Sequence, residues 1–133
     1  MIPSIGLDTP VSVAPLQDGT WAVPRFVAGH AEGSAGAGQA GNAIVIGHVT
    51  SLTLGNVFER LNEVSVDDTV SVFNGNARYD YRVTAASDVD RTDLEVLDPT
   101  QVPTLTLITC SGWWLPTEHD YSQRFVVRAN LIR

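Results

Sequence analysis

Residues 69–85 read TVSVFNGNARYDYRVTA. Thr69–Phe73 is rich in β-branched residues, and Arg78–Ala85 alternates apolar with polar side chains. Between them, Asn74-Gly75 is a strong hairpin turn signal, so the two runs read as strands that pair back on each other. This hairpin makes two residues, not 3.6, the period to seek in the rest of the chain.

Toward the C-terminus, Thr92 and Glu95 have capping-box spacing, which predicts a short helical turn ending at Pro99. Leu105–Cys110 is the next strand, residues 111–123 read as a long loop, and Phe125–Ile132 is the last strand. Toward the N-terminus, residues 56–64, NVFERLNEV, place Val57, Leu61 and Val64 at helical spacing. Asn56 is a natural N-cap with Glu59 three residues on, which predicts a short helix. Ala43–Gly47, AIVIG, is a buried strand that ends at His48.

Residues 30–42, HAEGSAGAGQAGN, have no apolar anchor and read as a loop. No Lys follows them, so they are not a phosphate cradle. Trp21–Val27 is a second strand interrupted by Pro24, after a turn at Gln17-Asp18-Gly19. Residues 2–13 are extended and broken by Pro3 and Pro10, because proline removes a ladder donor. There is no repeat and no second domain. The expectation is a mainly β single domain over residues 1–133, a closed or nearly closed barrel of seven or eight strands with one or two short helices.

The 133 residues are enough for a core without a staple. The net charge is −7 and all eight basic residues are Arg. Such a chain repels phosphate backbones, so nucleic-acid binding is not expected, and no basic cluster is present to hold anionic lipid. A single Cys makes no internal disulfide. No stretch nears the ~20 apolar residues of a membrane span. His30, His48, Cys110 and His119 have no metal-ligand spacing, and Asp88, Asp90 and Asp93 read as a solvated acidic loop without an EF-hand pattern. No metal or cofactor is expected.

Alternation sorts the faces of the last two strands. Thr104, Thr106, Ile108 and Cys110 share one face, and Leu105, Leu107 and Thr109 the other. Phe125, Val127, Ala129 and Leu131 form one face of the last strand; Arg124, Val126, Arg128 and Asn130 form the other. If the strands are antiparallel neighbours, Arg124 lies near Cys110. His48 ends a third strand, with Ile44 and Ile46 on its face.

Thiol acyl transfer needs a thiolate, commonly supplied by a Cys–His pair. It needs a proton donor for the leaving amine and a donor for the developing oxyanion, which a guanidinium supplies. Cys110, His48 and Arg124 fill these roles. The competing reading is ordinary: an unpaired Cys on a strand is usually a small buried hydrophobe.

The residues resemble the sortases, bacterial cysteine transpeptidases. TLTLITC, residues 104–110, resembles the family's signature strand ending in the nucleophile, and GNAIVIGH, residues 41–48, the strand ending in its His. NVFERLNEV resembles the helix beside that His, and VDDTVSV the following xGDxVxV segment. RFVVRANLI, residues 124–132, resembles the strand opened by the catalytic Arg, and IPSIGLDTPV the first strand. Two departures stand out. His48 is followed by Val49-Thr50, and Asp67-Asp68 replaces the usual Gly-Asp. Arg128 shares Arg124's face as a rival, but Arg124 directly precedes the apolar triplet, as the motif requires.

The resemblance implies a barrel with a groove for an extended sorting signal like Leu-Pro-x-Thr-Gly. Cys110 is then the nucleophile, His48 the proton donor to the leaving amine, and Arg124 the oxyanion and backbone donor. Thr109, Ile108, Ile46, Trp113, Trp114 and Val126 are the expected groove residues; the two tryptophans read equally well as an apolar plug at the barrel end. The acceptor is an amine, from a peptidoglycan precursor or a pilin Lys. The class stays open, with D-, E- or F-like patterns nearest. A monomer is expected, at the outer face of a bacterial membrane through an N-terminal anchor not in this chain. The alternatives are a non-catalytic β-barrel module binding peptide or glycan, with Cys110 buried, and a plain Cys hydrolase.

Overall fold

The computed structural model describes residues 1–49, 55–118 and 120–132, with only the backbone of Gly112 and Trp113. Expectations for Thr50, His119 and the Trp113 side chain lie outside the described residues.

The strands are β1 (Val11–Ala14), β2 (Leu16–Gln17), β3 (Thr20–Trp21), β4 (Ala28–Ala31), β5 (Gly41–Ile46), β6 (Thr69–Asn74), β7 (Ala77–Asp90), β8 (Pro103–Leu115) and β9 (Asp120–Leu131). Seven of them form one curled sheet in the order β1-β4-β5-β8-β9-β7-β6, and β2 pairs with β3 as a separate ribbon. The mainly β, barrel-type architecture read from the sequence is the fold, curled as a half-barrel. Among the described strands, the edges β1 and β6 do not pair with each other. The N-terminal segment crosses between them, and Ser71 N–H donates to Met1 O at 2.9 Å. Beside it opens a cleft of about 750 Å³, lined by this segment, β1 and β6 and floored by barrel residues such as Leu105 and Leu107.

Two apolar clusters follow the strand alternation. The larger fills the barrel and includes Leu61, Tyr81, Leu105, Leu107, Val127 and Ala129. The smaller lies on the opposite face of β8 and β9, where Ala31, Ile44, Ile108 and Val126 pack under Trp21, Val89, Val96 and Leu97. Complete burial of Tyr81 is possible because its hydroxyl accepts the Gly38 N–H at 2.8 Å. Gly38 is a required glycine: its φ is +76°, and a Cβ there would lie 2.2 Å from the Tyr79 ring.

Several sequence expectations shift. The hairpin turn is Gly75-Asn76, one residue later than read, because Gly75 with φ +61° takes the first of the two turn positions. In place of a helix over 56–64 there is a turn leading into a single 3-10 turn at Leu61–Glu63. Phe58 N–H is bound instead by His48 O at 2.9 Å, and so short a segment gains little from helix propagation. Thr92 does not cap the turn at Glu95–Leu97; Asp93 Oδ1 accepts the Glu95 N–H, and both Thr92 donors bind Asp90 Oδ1. The expected loop 111–123 is largely strand, since β8 and β9 stay paired out to Leu115↔Asp120 across a bulge between Ser111 and Trp114. β7 runs to Asp90, so Asp88 and Asp90 lie on a strand and not in an acidic loop. The reading of 30–42 as a loop misses β4, which reaches Ala31, and the start of β5 at Gly41; the strand expected over Trp21–Val27 shrinks to Thr20–Trp21.

Candidate active site

Cys110 lies on β8 one residue before the bulge that follows Ser111, where Thr109 faces Phe125 and Cys110 faces Arg124 on β9. Directly opposed residues of an antiparallel pair put their side chains on the same face, so the thiol and the guanidinium start from adjacent positions. Arg128 lies four residues further along β9, opposite Thr106. Its Nη2 donates to Val96 O at 2.8 Å and to Thr106 Oγ1 at 3.3 Å. The rival arginine is therefore tied into a buried network with Thr106 and Asn42, which binds Thr106 Oγ1 at 2.6 Å.

β5 runs parallel to β8, with Ile46 opposite Ile108. Gly47 N–H continues the ladder to Ile108 O at 3.1 Å. This register carries His48 to the level of Cys110 on the neighbouring strand. Gly47 is hemmed in, since a Cβ would meet the Phe58 ring at 2.6 Å. The backbone that delivers the imidazole is thus packed tightly against the 57–63 turn. His48 Nε2 is buried and, among the described residues, has no hydrogen-bond partner. An unpaired buried polar atom is uncommon in a folded protein and calls for an explanation, a bound water or a catalytic role among them.

Burial pushes the Cys110 thiol above its ordinary pKa; the Arg124 charge pulls it down and the Asp120 charge adds to the rise. The resting thiol is therefore protonated near neutral pH. Arg124 is only partly exposed and fully engaged through its two Nη groups. Its Nη2 donates to both Asp120 oxygens at 3.0 and 2.8 Å, and its Nη1 to the carbonyls of Gln123 and Tyr121 at 3.1 and 3.3 Å. A cavity of about 330 Å³ adjoins the thiol, lined by residues that include Phe58, Glu59, Asn62, Thr109, Tyr121 and Phe125. Ser111 Oγ, beside Cys110, donates to Asp88 Oδ1 at 2.6 Å.

The expected groove residues divide. Thr109 lines the cavity beside Cys110, and its buried Oγ1 has no partner among the described residues. Ile108 and Val126 are buried in the smaller cluster, with Ile46 packed partly against it. Trp114 is 51 % exposed and stands edge-on to Tyr121 with ring centroids 5.3 Å apart. Asp120 and Tyr121 escape the sequence reading because residues 111–123 look like a loop, and Arg91 because β7 runs to Asp90, beyond the Arg78–Ala85 strand that alternation marks. The acid four residues before Arg124 was the available signal.

The sortase domain family matches residues 1–132. The chain belongs to the sortase family. Among solved structures it is similar to sortase A of Listeria monocytogenes, at 26 % identity and a TM-score of 0.78, over 99 % of this chain and 83 % of that one. It is similar to sortase C1 of Streptococcus agalactiae at 25 % identity and a TM-score of 0.81, over 100 % of this chain but 65 % of that one. It also shares the fold of a Clostridium perfringens sortase D5 transpeptidase, at 23 % identity and a TM-score of 0.79, over 100 % of this chain and 76 % of that one. No curated protein matches the chain in sequence. Sortase membership supports a transpeptidase role in general terms.

The departure at Asp67 has a structural consequence. Asp67 takes φ +77°, the left-handed region that glycine adopts without strain. The following Asp68 keeps the turn's polar work, its Oδ2 accepting from Ser65 N–H and from Ser4 Oγ, both at 2.8 Å. Among the described residues, no group of three His, Cys, Asp or Glu side chains converges as a metal site.

Proposed function

We propose that this sortase is a cysteine transpeptidase with Cys110 as nucleophile, His48 as proton carrier and Arg124 as oxyanion donor. The observation that carries this reading is the direct opposition of Cys110 and Arg124, with His48 delivered to the same level by the parallel β5. The substrate is an extended sorting signal similar to Leu-Pro-x-Thr-Gly. His48 takes the thiol proton, and Cys110 Sγ attacks the Thr carbonyl carbon. The Thr–Gly C–N bond breaks as His48 returns the proton to the departing Gly amine. A thioester remains on Cys110. An amine from a peptidoglycan precursor or a pilin Lys then attacks that carbonyl, its proton passes to His48, and the thiol is regenerated.

The half-buried Arg124 stabilises the charge that develops on the carbonyl oxygen. A fixed cation in a partly desolvated site acts there without reorganising. Trp114 and Tyr121 form an aromatic wall beside it. No described helix is long and apolar enough to cross a membrane. The proposed setting, the outer face of a bacterial membrane, follows from the family.

The test is incubation of the purified domain with a Leu-Pro-x-Thr-Gly peptide library, with and without amine acceptors. A ligated product that requires both substrates supports the proposal. Cleavage whose products never incorporate the amine would make the enzyme a plain Cys hydrolase, and inert peptides would favour a binding module.

A further inference from the structure

Asp120 and Arg124 lie four residues apart on β9, a span of about 13 Å along an extended strand. Their side chains nevertheless meet at 2.8 Å, so the Arg124 side chain is laid back along its own strand toward Asp120. Nη1 on the way binds the carbonyls of Gln123 and Tyr121. Among the described residues, Nε is the guanidinium donor left open to a ligand. The Asp120 carboxylate is itself gripped. Its Oδ1 accepts the Tyr121 N–H at 2.7 Å, and Arg91, at the end of β7, approaches Oδ2 to 3.8 Å. Arg91 also reaches Glu118 at 3.6 Å.

We propose that Asp120 is a positioning residue for Arg124, holding the guanidinium through Nη2 while Nη1 rests on two backbone carbonyls, so that Nε–H is presented to the reacting carbonyl. The proposal rests on the transpeptidase reading above. The mount is the Arg124 contact with both carboxylate oxygens and the Tyr121 N–H on Oδ1, since a planar guanidinium loses little freedom when bound, and Arg91 adds a long ion pair at 3.8 Å. Among the described residues, Tyr121 lines the cavity beside the thiol, and five charged or titratable groups surround the two. Arg124 and Asp120 come from β9, Asp88 from β7 by way of Ser111, Glu59 from the 57–63 turn across the adjoining cavity, and His48 from the end of β5. Asp120 is the acid in this set that is wired to Arg124. Burial pushes its carboxyl up, but the bonds from Arg124 and Tyr121 and the two arginine charges outweigh that and hold it below the ordinary range. It is therefore anionic wherever Cys110 works.

The experiment compares the unaltered chain with Asp120→Asn, Asp120→Ala and Asp120→Glu, each checked for an unchanged melting profile. The first readout is the pH midpoint of Cys110 alkylation by iodoacetamide. In Asp120→Asn it moves down by about half a unit or more, because an acid's charge is lost and Arg124 is no longer neutralised. The second readout is steady-state transpeptidation of a sorting-signal peptide. In Asp120→Ala, kcat falls about tenfold or more with KM nearly unchanged, and Asp120→Glu recovers part of the loss. An alkylation midpoint that stays fixed or rises, or a kcat that is unchanged or increased, overturns the positioning role. If the unaltered chain transfers no peptide at all, the transpeptidase reading itself falls and takes the positioning role with it.

Discussion

Cys110 on β8 and Arg124 on β9 are direct partners across an antiparallel ladder, while the other arginine on that face, Arg128, pairs with Thr106. The two arginines differ in what holds them. Arg124 is bound to Asp120 next to the thiol, whereas Arg128 anchors the Val96 carbonyl over the smaller cluster. Substitutions at the two positions should therefore separate activity from stability. Arg124→Ala is expected to cost roughly 10²-fold or more in kcat, the usual loss of an oxyanion donor, with little change in melting. Arg128→Ala should leave kcat within a few-fold but destabilise the fold by about 1–2 kcal/mol, because buried acceptors lose a donor. Peptide transfer rates and thermal melts on both variants check this.

Arg124→Lys should rescue little of that activity. Arg124 engages Asp120 through Nη2 and two carbonyls through Nη1. A single ammonium has no planar fork with which to keep those contacts and still donate to substrate. A Lys variant with more than about a tenth of the original kcat would show that charge alone suffices.

The protonated resting thiol has a pH signature. Burial raises the Cys110 pKa, with Arg124 opposing and Asp120 assisting. Alkylation should therefore climb only above the ordinary thiol region, and Arg124→Ala should push the climb higher still. The sign for stability follows from linkage. The folded chain keeps a proton that the unfolded chain has released, so this contribution is complete below the unfolded pKa and is lost as pH rises through the folded one. Half-maximal alkylation below about pH 8 would contradict it.

Asp67→Gly should stabilise the protein. The left-handed φ of +77° strains an L residue, and glycine removes the strain at the cost of a more flexible unfolded chain. The net gain is roughly 0.5–1 kcal/mol, small because Asp tolerates this region better than most residues. A thermal melt that moves down would mean that the Asp67 side chain contributes more than its backbone costs.

Alternation carried the sequence reading furthest where one side chain in two is buried. The two faces of β8 and β9 were legible, and with them the adjacency of Cys110 and Arg124, because Leu105, Leu107, Val127 and Ala129 fill the barrel while Ile108 and Val126 pack outside it. Alternation failed where the ladder outlasts the apolar pattern. Residues 111–115 and 120–123 pair across a bulge although Gly112, Asp120, Ser122 and Gln123 look like loop, and tertiary pairing overrides local preference there. Asp120 was hidden by the same error. The helix expected after His48 had correct spacing but too little length, and the His48 carbonyl captured the amide of Phe58. His48 is legible locally as the end of the AIVIG strand, whereas its level beside Cys110 comes from the parallel pairing of β5 with β8, a non-local fact.

The central claim is that Cys110 carries the acyl group. Mass spectrometry of the intact protein, quenched during reaction with a sorting-signal peptide in the absence of amine acceptor, tests it most directly. The expected result is an adduct equal to the N-terminal cleavage product, mapped to Cys110, absent in Cys110→Ala and much reduced in His48→Ala. Full peptide transfer by Cys110→Ala, or an adduct mapped to any other residue, would contradict it.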